Sequence, residues 1–313
     1  MAMPAGICAV SNGVLAMEIR TLGRTGLQVT VLGYGAMALR GSSAGYGTDS
    51  ASTGDAEAIL PKLLDAGVNF IDTAPDYGYS EQRIGKVVGH RRNEFYLATK
   101  CGCNIPRDDN ADEPPHIWTR QRLLANIELS LSRLNTDYVD IWQLHNPTPE
   151  QVQDEDLVRV MEQVKQQGKV RHVSISSTLP HIHAFIEKGA FDTYQIPYSS
   201  LQPIEEDSIT AAAKSGAGTI IRGGVAKGEP QDMEDNVRWG IWEKANLDEL
   251  RAEGESRSAF LLRCTISHPY LHTTIVGTRD PNHLQENLDA AEKGPLDPGI
   301  YEQVKKRLQA VKP

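Results

Sequence analysis

The sequence has no long apolar run, and this absence limits what the chain can be. Spanning a bilayer takes about 20 consecutive apolar residues, and no stretch of the 313 residues approaches that length. Cysteine is also scarce, because the four cysteines form no Cys-x-x-Cys pair and no cluster with metal-ligand spacing. We therefore expect a reduced, cytoplasmic protein without a metal site.

Positive charge is in deficit as well. The chain carries 32 Lys and Arg against 41 Asp and Glu, for a formal net charge of −9. Such a balance argues against nucleic acid or an anionic membrane as the main partner. About 40% of the residues are hydrophobic, which is ample for a large core, and the length suits one barrel or two smaller domains. The oligomeric state stays open.

Residues 1–16 contain no Lys or Arg, and Ser11-Asn12-Gly13 interrupts their apolar part. A secretion signal needs a charged start and a longer apolar core. We expect instead an extension ahead of a natural start at Met17, and we expect it to be disordered. Residues 17–313 are predicted to form a single catalytic domain.

Strand and helix signals alternate with regularity along that domain. Eight runs resemble strands, at residues 31–37, 70–71, 95–99, 138–144, 170–175, 193–196, 219–221 and 273–276. Amphipathic helical stretches lie between them, for example at 119–134, 157–167 and 256–267. A short hairpin (18–20 with 27–29) precedes the repeat, and an extra helix near 298–311 follows it. This order predicts an α/β protein with a closed (β/α)₈ TIM barrel.

A doubly wound open sheet is the alternative fold. It is weakened as a nucleotide-binding fold because no Gly-x-Gly-x-x-Gly follows an early strand. In a barrel the carboxyl ends of the strands form one ring, where catalytic residues collect. Asp72 ends one strand with Tyr77 just beyond it, and Lys100 and His145 close two others. The four side chains are therefore predicted to converge. Ser80, just beyond Tyr77, is placed to cap the next helix.

Several motifs resemble the aldo-keto reductase superfamily, in family order over residues 17–313. They are Asp72-Thr-Ala-Pro-Asp-Tyr77-Gly-Tyr-Ser-Glu81, Ala98-Thr-Lys100-Cys-Gly, Asp140-Ile-Trp-Gln-Leu-His145, the run 168–177, Gln195-Ile-Pro-Tyr-Ser and Glu286-Asn287. The resemblance implies that Asp72, Tyr77, Lys100 and His145 form a catalytic tetrad and that no metal is required. It also implies a small-molecule carbonyl substrate, an aldehyde or a ketone.

The residue types suit that chemistry. Tyr77 could protonate the alkoxide left by hydride transfer, although a phenol with a pKa near ~10 is a reluctant acid. The ammonium of Lys100 is expected to lower that pKa. Asp72 would keep Lys100 charged, and His145 would donate a hydrogen bond to the substrate oxygen.

The resemblance further implies a nicotinamide cofactor across the same face. Besides Asp72, its binding residues would be Gly35, Ala36, Met37, Ser176, Ser177, Gln195, Arg222, Gly223, Gly224, Val225, Ala226, Gly228, Gly277, Thr278, Arg279, His283, Glu286 and Asn287. Arg222 stands where the family carries a stacking aromatic residue, and Gly223-Gly224 replace a Ser-Pro pair. The glycine pair could offer backbone N–H groups to a diphosphate or be a flexible turn.

The adenosine end decides between the two nicotinamide cofactors. A basic residue there usually marks a 2′-phosphate, and Arg279 could serve. Asp280 beside it would repel phosphate, and His283 is only partly charged near neutrality. We expect NADPH (NADP) rather than NADH.

Two other functions stay open beside carbonyl reduction. The first is an NADP(H)-binding redox-sensing or regulatory subunit with low turnover, and the second is a lyase that forms a Schiff base on Lys100. Cys101 and Cys103 are expected to be small buried hydrophobes rather than oxidant sensors. Within the polar segment 227–254, Trp239 and Trp242 either form a lid wall over the substrate or dock the segment on the surface.

Overall fold

The computed structural model describes residues 17–41, 53–105, 114–228 and 237–311. Eight parallel strands form a closed barrel in the order β10-β3-β4-β5-β6-β7-β8-β9. The strands are β3 (Leu32–Gly35), β4 (Phe70–Asp72), β5 (Tyr96–Cys101), β6 (Val139–His145), β7 (Val170–Ser176), β8 (Thr193–Pro197), β9 (Gly218–Arg222) and β10 (Thr273–Val276). The predicted (β/α)₈ barrel is confirmed and the open sheet is excluded. The expected extension at residues 1–16 lies outside the described residues.

Helices surround the barrel on the outside. They are α1 (Gly54–Asp65), α2 (Ser80–Val88), α3 (Arg120–Leu134), α4 (Pro149–Asp154), α5 (Leu157–Gln166), α6 (Ile182–Lys188), α7 (Glu206–Lys214), α8 (Val237–Lys244), α9 (Arg257–Ile266), α10 (Pro281–Lys293) and α11 (Pro298–Ala310). The predicted extra helix at the C-terminal end is α11, and Pro298 occupies its first turn. Pro is favoured there because its missing N–H would have no partner in the helix.

The predicted N-terminal hairpin is present and closes one end of the barrel. Strands β1 (Ile19–Thr21) and β2 (Gln28–Thr30) pair antiparallel. Leu22 and Val29 are fully buried in one cluster with Phe70, Ala98, Ile141, Ile220 and Ile275. The backbone N–H of Arg24 donates to the carbonyl of Gly216, just before β9 starts. The hairpin therefore covers the amino ends of the strands and leaves the carboxyl ends for the site.

The described part of segment 227–254 around α8 docks on the outer helices. Trp239 and Trp242 of α8 are fully buried, with ring centroids 5.6 Å apart. Their cluster includes Phe260 of α9 and Tyr301 of α11. Neither tryptophan lines the cavity described below. Of the two interpretations of this pair, docking is confirmed and the lid wall is wrong.

Ser80 differs from the role that its position suggested. The sequence predicts that it caps α2, but it is the first residue of that helix, and Tyr79 precedes it without a capping bond. The hydroxyl of Ser80 is buried, donates to the carbonyl of Ala36 at 2.8 Å and lies 2.9 Å from the Thr73 hydroxyl. A buried hydroxyl needs such partners, so Ser80 ties α2 to the end of β3.

Candidate active site

A cavity of about 1370 Å³ opens at the carboxyl ends of the barrel strands. Six strands contribute their final residue to its wall: Gly35, Asp72, His145, Ser176, Arg222 and Val276. The register of the sheet explains the convergence, since Gly35 pairs with Asp72 and His145 pairs with Ser176. The strand ends identified in the sequence thus meet in one place.

A buried ion pair lies at the inner end of the cavity. Lys100 Nζ is fully buried, donates to Asp72 Oδ2 at 2.6 Å and to the carbonyl of Thr73 at 2.9 Å. The other oxygen of Asp72 accepts from Gln143 Nε2 at 2.7 Å and from Gln195 Nε2 at 2.8 Å. Burial is the largest single influence on the pKa of Lys100 and lowers it, but the charges of Asp72, Tyr77 and Asp76 and the hydrogen bond to Asp72 together hold that pKa above its ordinary value. A protonated, paired lysine is a poor nucleophile, which argues against a Schiff base.

The ring of Tyr77 lies against this pair, with Lys100 Nζ 4.8 Å from its centroid. The sequence predicts that Lys100 lowers the pKa of Tyr77. The net direction is the opposite: burial raises the pKa of Tyr77, and the opposing charge of Lys100 offsets only part of that rise. Desolvation disfavours the phenolate more than one nearby ammonium favours it. Tyr77 is therefore held as a neutral phenol at physiological pH.

His145 faces the cavity beside Tyr77, with the two rings 6.0 Å apart and nearly perpendicular. Burial lowers the pKa of His145 to about 3, although the carboxylate of Asp76 acts in the opposite direction. Its Nδ1 lies 3.2 Å from Nε2 of His116. If His116 donates in this contact, as we assign, the proton of the neutral His145 is on Nε2. His145 then serves as a hydrogen-bond donor, not as an acid.

Most of the predicted cofactor residues line the cavity. They are Gly35, Met37, Asp72, Ser176, Gln195, Arg222, Gly223, Gly224, Val225, Gly228, Gly277, Thr278, Arg279, His283, Glu286 and Asn287. Three others are buried behind the wall: Ala36 packs in the barrel core, Ser177 donates its N–H to the carbonyl of Gln195, and Ala226 packs in the cluster of the tryptophan pair. For these three, a direct contact through the side chain is not supported.

Residues 223–228 form a compact turn along one side of the cavity. A Cβ atom at Gly224 would lie 2.5 Å from Thr274 Oγ1, so this position has room for glycine alone. The N–H groups of Ala226 and Gly228 are used inside the turn, where they donate to Gly223 and Val225. These two N–H groups are not available to a diphosphate. The N–H groups of Gly223 and Gly224, which the sequence analysis singled out as donors, stay a prediction.

The far end of the cavity lies at the start of α10. Arg279 is exposed there, with its Nη1 3.7 Å from Asp55 Oδ2. Asp280 is the N-cap of α10, and its carboxylate accepts from the N–H of Asn282 at 2.7 Å. This bond ties the Asp280 carboxylate to the helix end, which moderates the repulsion expected from the sequence.

Several site residues escaped the sequence analysis. Arg40, Asn146 and Lys227 line the cavity, and Gln143 holds Asp72 from behind. Gln143 and Asn146 flank Leu144-His145 in the sequence. Their position beside a predicted catalytic histidine was the signal that could have identified them as site residues. His116 had no such signal, because along the chain it lies in a loop that is distant from any predicted strand end.

Comparison with known proteins assigns the family. The sequence pattern of the aldo/keto reductase family matches residues 31–308, and the chain belongs to this family. It is accordingly an oxidoreductase that depends on NAD(P)H. Among the described residues, no helix is long and apolar enough to cross a membrane.

Relatives with named functions or solved structures are similar over most of the chain. The aldo-keto reductase AKR11C1 from Bacillus halodurans, in its holo form, is 27% identical with a TM-score of 0.80, covering 93% of this chain and 96% of that one. The oxidoreductase YqkF of Bacillus subtilis is 28% identical over 88% of this chain and 91% of its own length. A putative voltage-gated potassium channel subunit beta of Schizosaccharomyces pombe is 27% identical over 88% of each chain.

The cavity suits the nicotinamide cofactor that aldo-keto reductases bind. Four basic side chains are spread along its wall: Arg40, Arg222, Lys227 and Arg279. They complement the negative charge of a dinucleotide diphosphate. Asp72 is the acidic group at the inner end, and Lys100 neutralises it. The charged groups present therefore fit a long anionic ligand whose uncharged ring lies near Tyr77.

Proposed function

We propose that this protein reduces aldehydes or ketones to alcohols with NADPH, and that residues 17–313 act as one catalytic domain. The observation that carries the proposal is the buried Lys100–Asp72 pair beneath Tyr77, with neutral His145 beside Tyr77 in the wall of the same cavity. These are the groups that hydride reduction of a carbonyl requires. When bound, the cofactor supplies the hydride.

Each residue of the set then has one task. The Nε2–H of His145 donates a hydrogen bond to the carbonyl oxygen and orients the substrate. Tyr77 protonates that oxygen as it becomes an alkoxide, and Lys100 stabilises the resulting phenolate. Asp72 keeps Lys100 protonated, while Gln143 and Gln195 hold Asp72 in place. Solvent returns the proton to Tyr77 after the alcohol leaves.

The preference for NADPH rests on charge at the far end of the cavity. Arg279 is exposed and loosely paired, so it can turn to a 2′-phosphate. His283 lines the same end. A charge-assisted hydrogen bond to phosphate contributes roughly 1.5–3 kcal/mol, which is about tenfold or somewhat more in affinity.

Tyr77→Phe tests the assignment of the proton donor. Loss of a general acid costs about 10²–10⁴-fold in turnover, whereas NADPH affinity should stay near the wild-type value because many other residues line the binding cavity. Turnover is measured with a panel of carbonyl compounds by the loss of NADPH absorbance, and NADPH affinity is measured by fluorescence titration. Tyr79→Phe is the matched control, since Tyr79 lies two residues away and outside the cavity wall. Wild-type turnover in Tyr77→Phe would refute the proposal.

A regulatory subunit is the second candidate, supported by similarity to the potassium channel subunit beta. It would bind NADPH tightly and oxidise it slowly with every carbonyl compound in the panel. Slow oxidation of bound NADPH by every compound of the panel, in a single-turnover experiment on the wild type, would favour it. The complete set of Asp72, Tyr77, Lys100 and His145 favours turnover.

A further inference from the structure

Four side chains of metal-ligand type converge beside His145, from four separate parts of the chain. They are Asp76, Cys103, His116 and His145, and one ligand atom of each lies within 4.8 Å of the others. His145 Nδ1 is 3.2 Å from His116 Nε2, and 3.5 Å from both Cys103 Sγ and Asp76 Oδ2. Asp76 Oδ2 is 3.6 Å from His116 Nε2. No sequence spacing pointed to this cluster.

These separations match the edges of a small tetrahedron. Zinc binds nitrogen and oxygen at about 2.0–2.1 Å and sulfur at about 2.3 Å, which places tetrahedral ligand atoms roughly 3.3–3.6 Å apart. Four of the six separations run from 3.2 to 3.6 Å, and the other two, from Cys103 Sγ to Asp76 and to His116, lie within 4.8 Å. Asp76, His116 and His145 are thus already spaced for one ion, and Cys103 is within reach as the fourth ligand.

The protein holds two of the four residues on one short ribbon. Cys103 and His116 face each other in an antiparallel bridge, and the N–H of Ile117 donates to the carbonyl of Gly102 at 2.7 Å. The His116 ring stacks on Trp118 with an interplanar angle of 11°. A Cβ at Gly102 would lie 2.0 Å from the Trp118 ring, so glycine is needed for this packing. Rigid support of this kind is what a metal site requires.

The cluster also has an unsatisfied polar atom. Asp76 Oδ1 is buried and accepts no hydrogen bond from the described residues. The Asp76 side chain as a whole is 27% exposed, so the buried oxygen is the one on its inner side. A buried carboxylate oxygen without a partner calls for a cation or an ordered water.

We propose that Asp76, Cys103, His116 and His145 bind one Zn²⁺ ion. Two imidazoles, a thiolate and one carboxylate suit zinc and exclude Mg²⁺ and Ca²⁺, which take oxygen ligands. Cys103 loses its thiol proton to solvent on binding. On binding, His116 carries its proton on Nδ1 instead of Nε2, so His116 Nε2 and His145 Nδ1 both present a lone pair to the ion. His145 keeps its proton on Nε2, on the side of the cavity. The ion therefore leaves the donor of the proposed reduction in place, and the site stands whether or not that proposal holds.

Metal binding is measured directly on the untagged, full-length protein without cofactor. We expect one equivalent of Zn²⁺, retained in competition with a micromolar chromophoric chelator. Co²⁺ as the probe should give the intense visible bands of tetrahedral geometry and a thiolate charge-transfer band in the near ultraviolet. Because the Cys103 thiol must lose its proton to bind the ion, affinity should increase with pH. No stoichiometric zinc, or a Co²⁺ spectrum without the thiolate band, would overturn the proposal.

Variants locate the site. Cys103→Ser and His116→Gln should each weaken zinc binding by about 100-fold or more, because losing even a hydrogen-bond partner of a ligand costs about 10–100-fold. Cys101→Ser is the matched thiol control, since Cys101 is buried two residues away. His172→Gln is the imidazole control, since His172 also lies 3.6 Å from a carboxylate, that of Asp192. Equal affinities in the ligand variants and the controls would also overturn the proposal, and circular dichroism verifies that each variant is folded.

Discussion

Replacing Asp72 with Asn tests the buried ion pair on which the proposed chemistry depends. The change leaves the fully buried ammonium of Lys100 without its carboxylate, whereas its hydrogen bond to the carbonyl of Thr73 remains. The new amide also fails geometrically. If its oxygen faces Lys100, its NH₂ faces the two glutamine amides, which are donors. If its oxygen faces the glutamines, its NH₂ faces the ammonium of Lys100, which is also a donor.

The magnitude follows from these contacts. Breaking a buried ion pair by removing one partner costs about 3–5 kcal/mol. Lys100 can limit the loss by releasing its proton, which at pH 7 costs about 4.6 kcal/mol from an ordinary pKa of ~10.4. The destabilisation is therefore about 3–5 kcal/mol at pH 7. Releasing the proton becomes easier by about 1.4 kcal/mol for each pH unit and costs roughly 1.9 kcal/mol at pH 9. At pH 9 the unfolded state alone carries the proton, so the destabilisation should fall to about that value.

Urea unfolding of the cofactor-free protein at pH 7 and pH 9, followed by tryptophan fluorescence and circular dichroism, measures both effects. Asp154→Asn is the control, because Asp154 is exposed. The double variant Asp72→Asn/Lys100→Met should recover most of the lost stability. A midpoint equal to that of the control, or a loss that does not change with pH, would show that the pair is not the buried, charged unit described above.

Four further outcomes are expected. NADPH should bind more tightly than NADH, and Arg279→Ala and added salt should both narrow the difference; equal affinities in the wild type would contradict this. If Arg222 lies against the nicotinamide ring, the Arg222→Tyr variant should gain affinity for NADP⁺ relative to NADPH. An equal loss of affinity for both forms would instead show that Arg222 binds a phosphate. Burial lowers the pKa of His268 and of His272 to about 4 each. Because the unfolded state then binds protons that the folded state does not, the free energy of unfolding should fall by a few kcal/mol from pH 6.5 to pH 4. His268→Gln should make the free energy of unfolding less dependent on pH in this range. Borohydride with an aldehyde should leave Lys100 unmodified in the mass spectrum.

The arrangement of strands followed from the sequence, because it depends on local signals. Apolar runs of strand length alternate with amphipathic helices, and each predicted run overlaps a barrel strand. The carboxyl ends of the strands in a barrel lie at one edge, so the sequence alone placed Asp72, Lys100 and His145 together. The family motifs added the roles that the residue types alone left open.

Tertiary structure decided the rest, for physical reasons. The direction of the pKa shift of Tyr77 depends on how much water its neighbours exclude, and no sequence pattern measures desolvation. Ser80 is a residue type favoured at helix caps and lies where a cap is expected, yet its hydroxyl donates a hydrogen bond to the carbonyl of Ala36. The contact between His116 and His145 joins a loop to a strand end 29 residues away. Local patterns report which element a residue belongs to, whereas side chains from separate elements meet only when the closed barrel brings their backbones together.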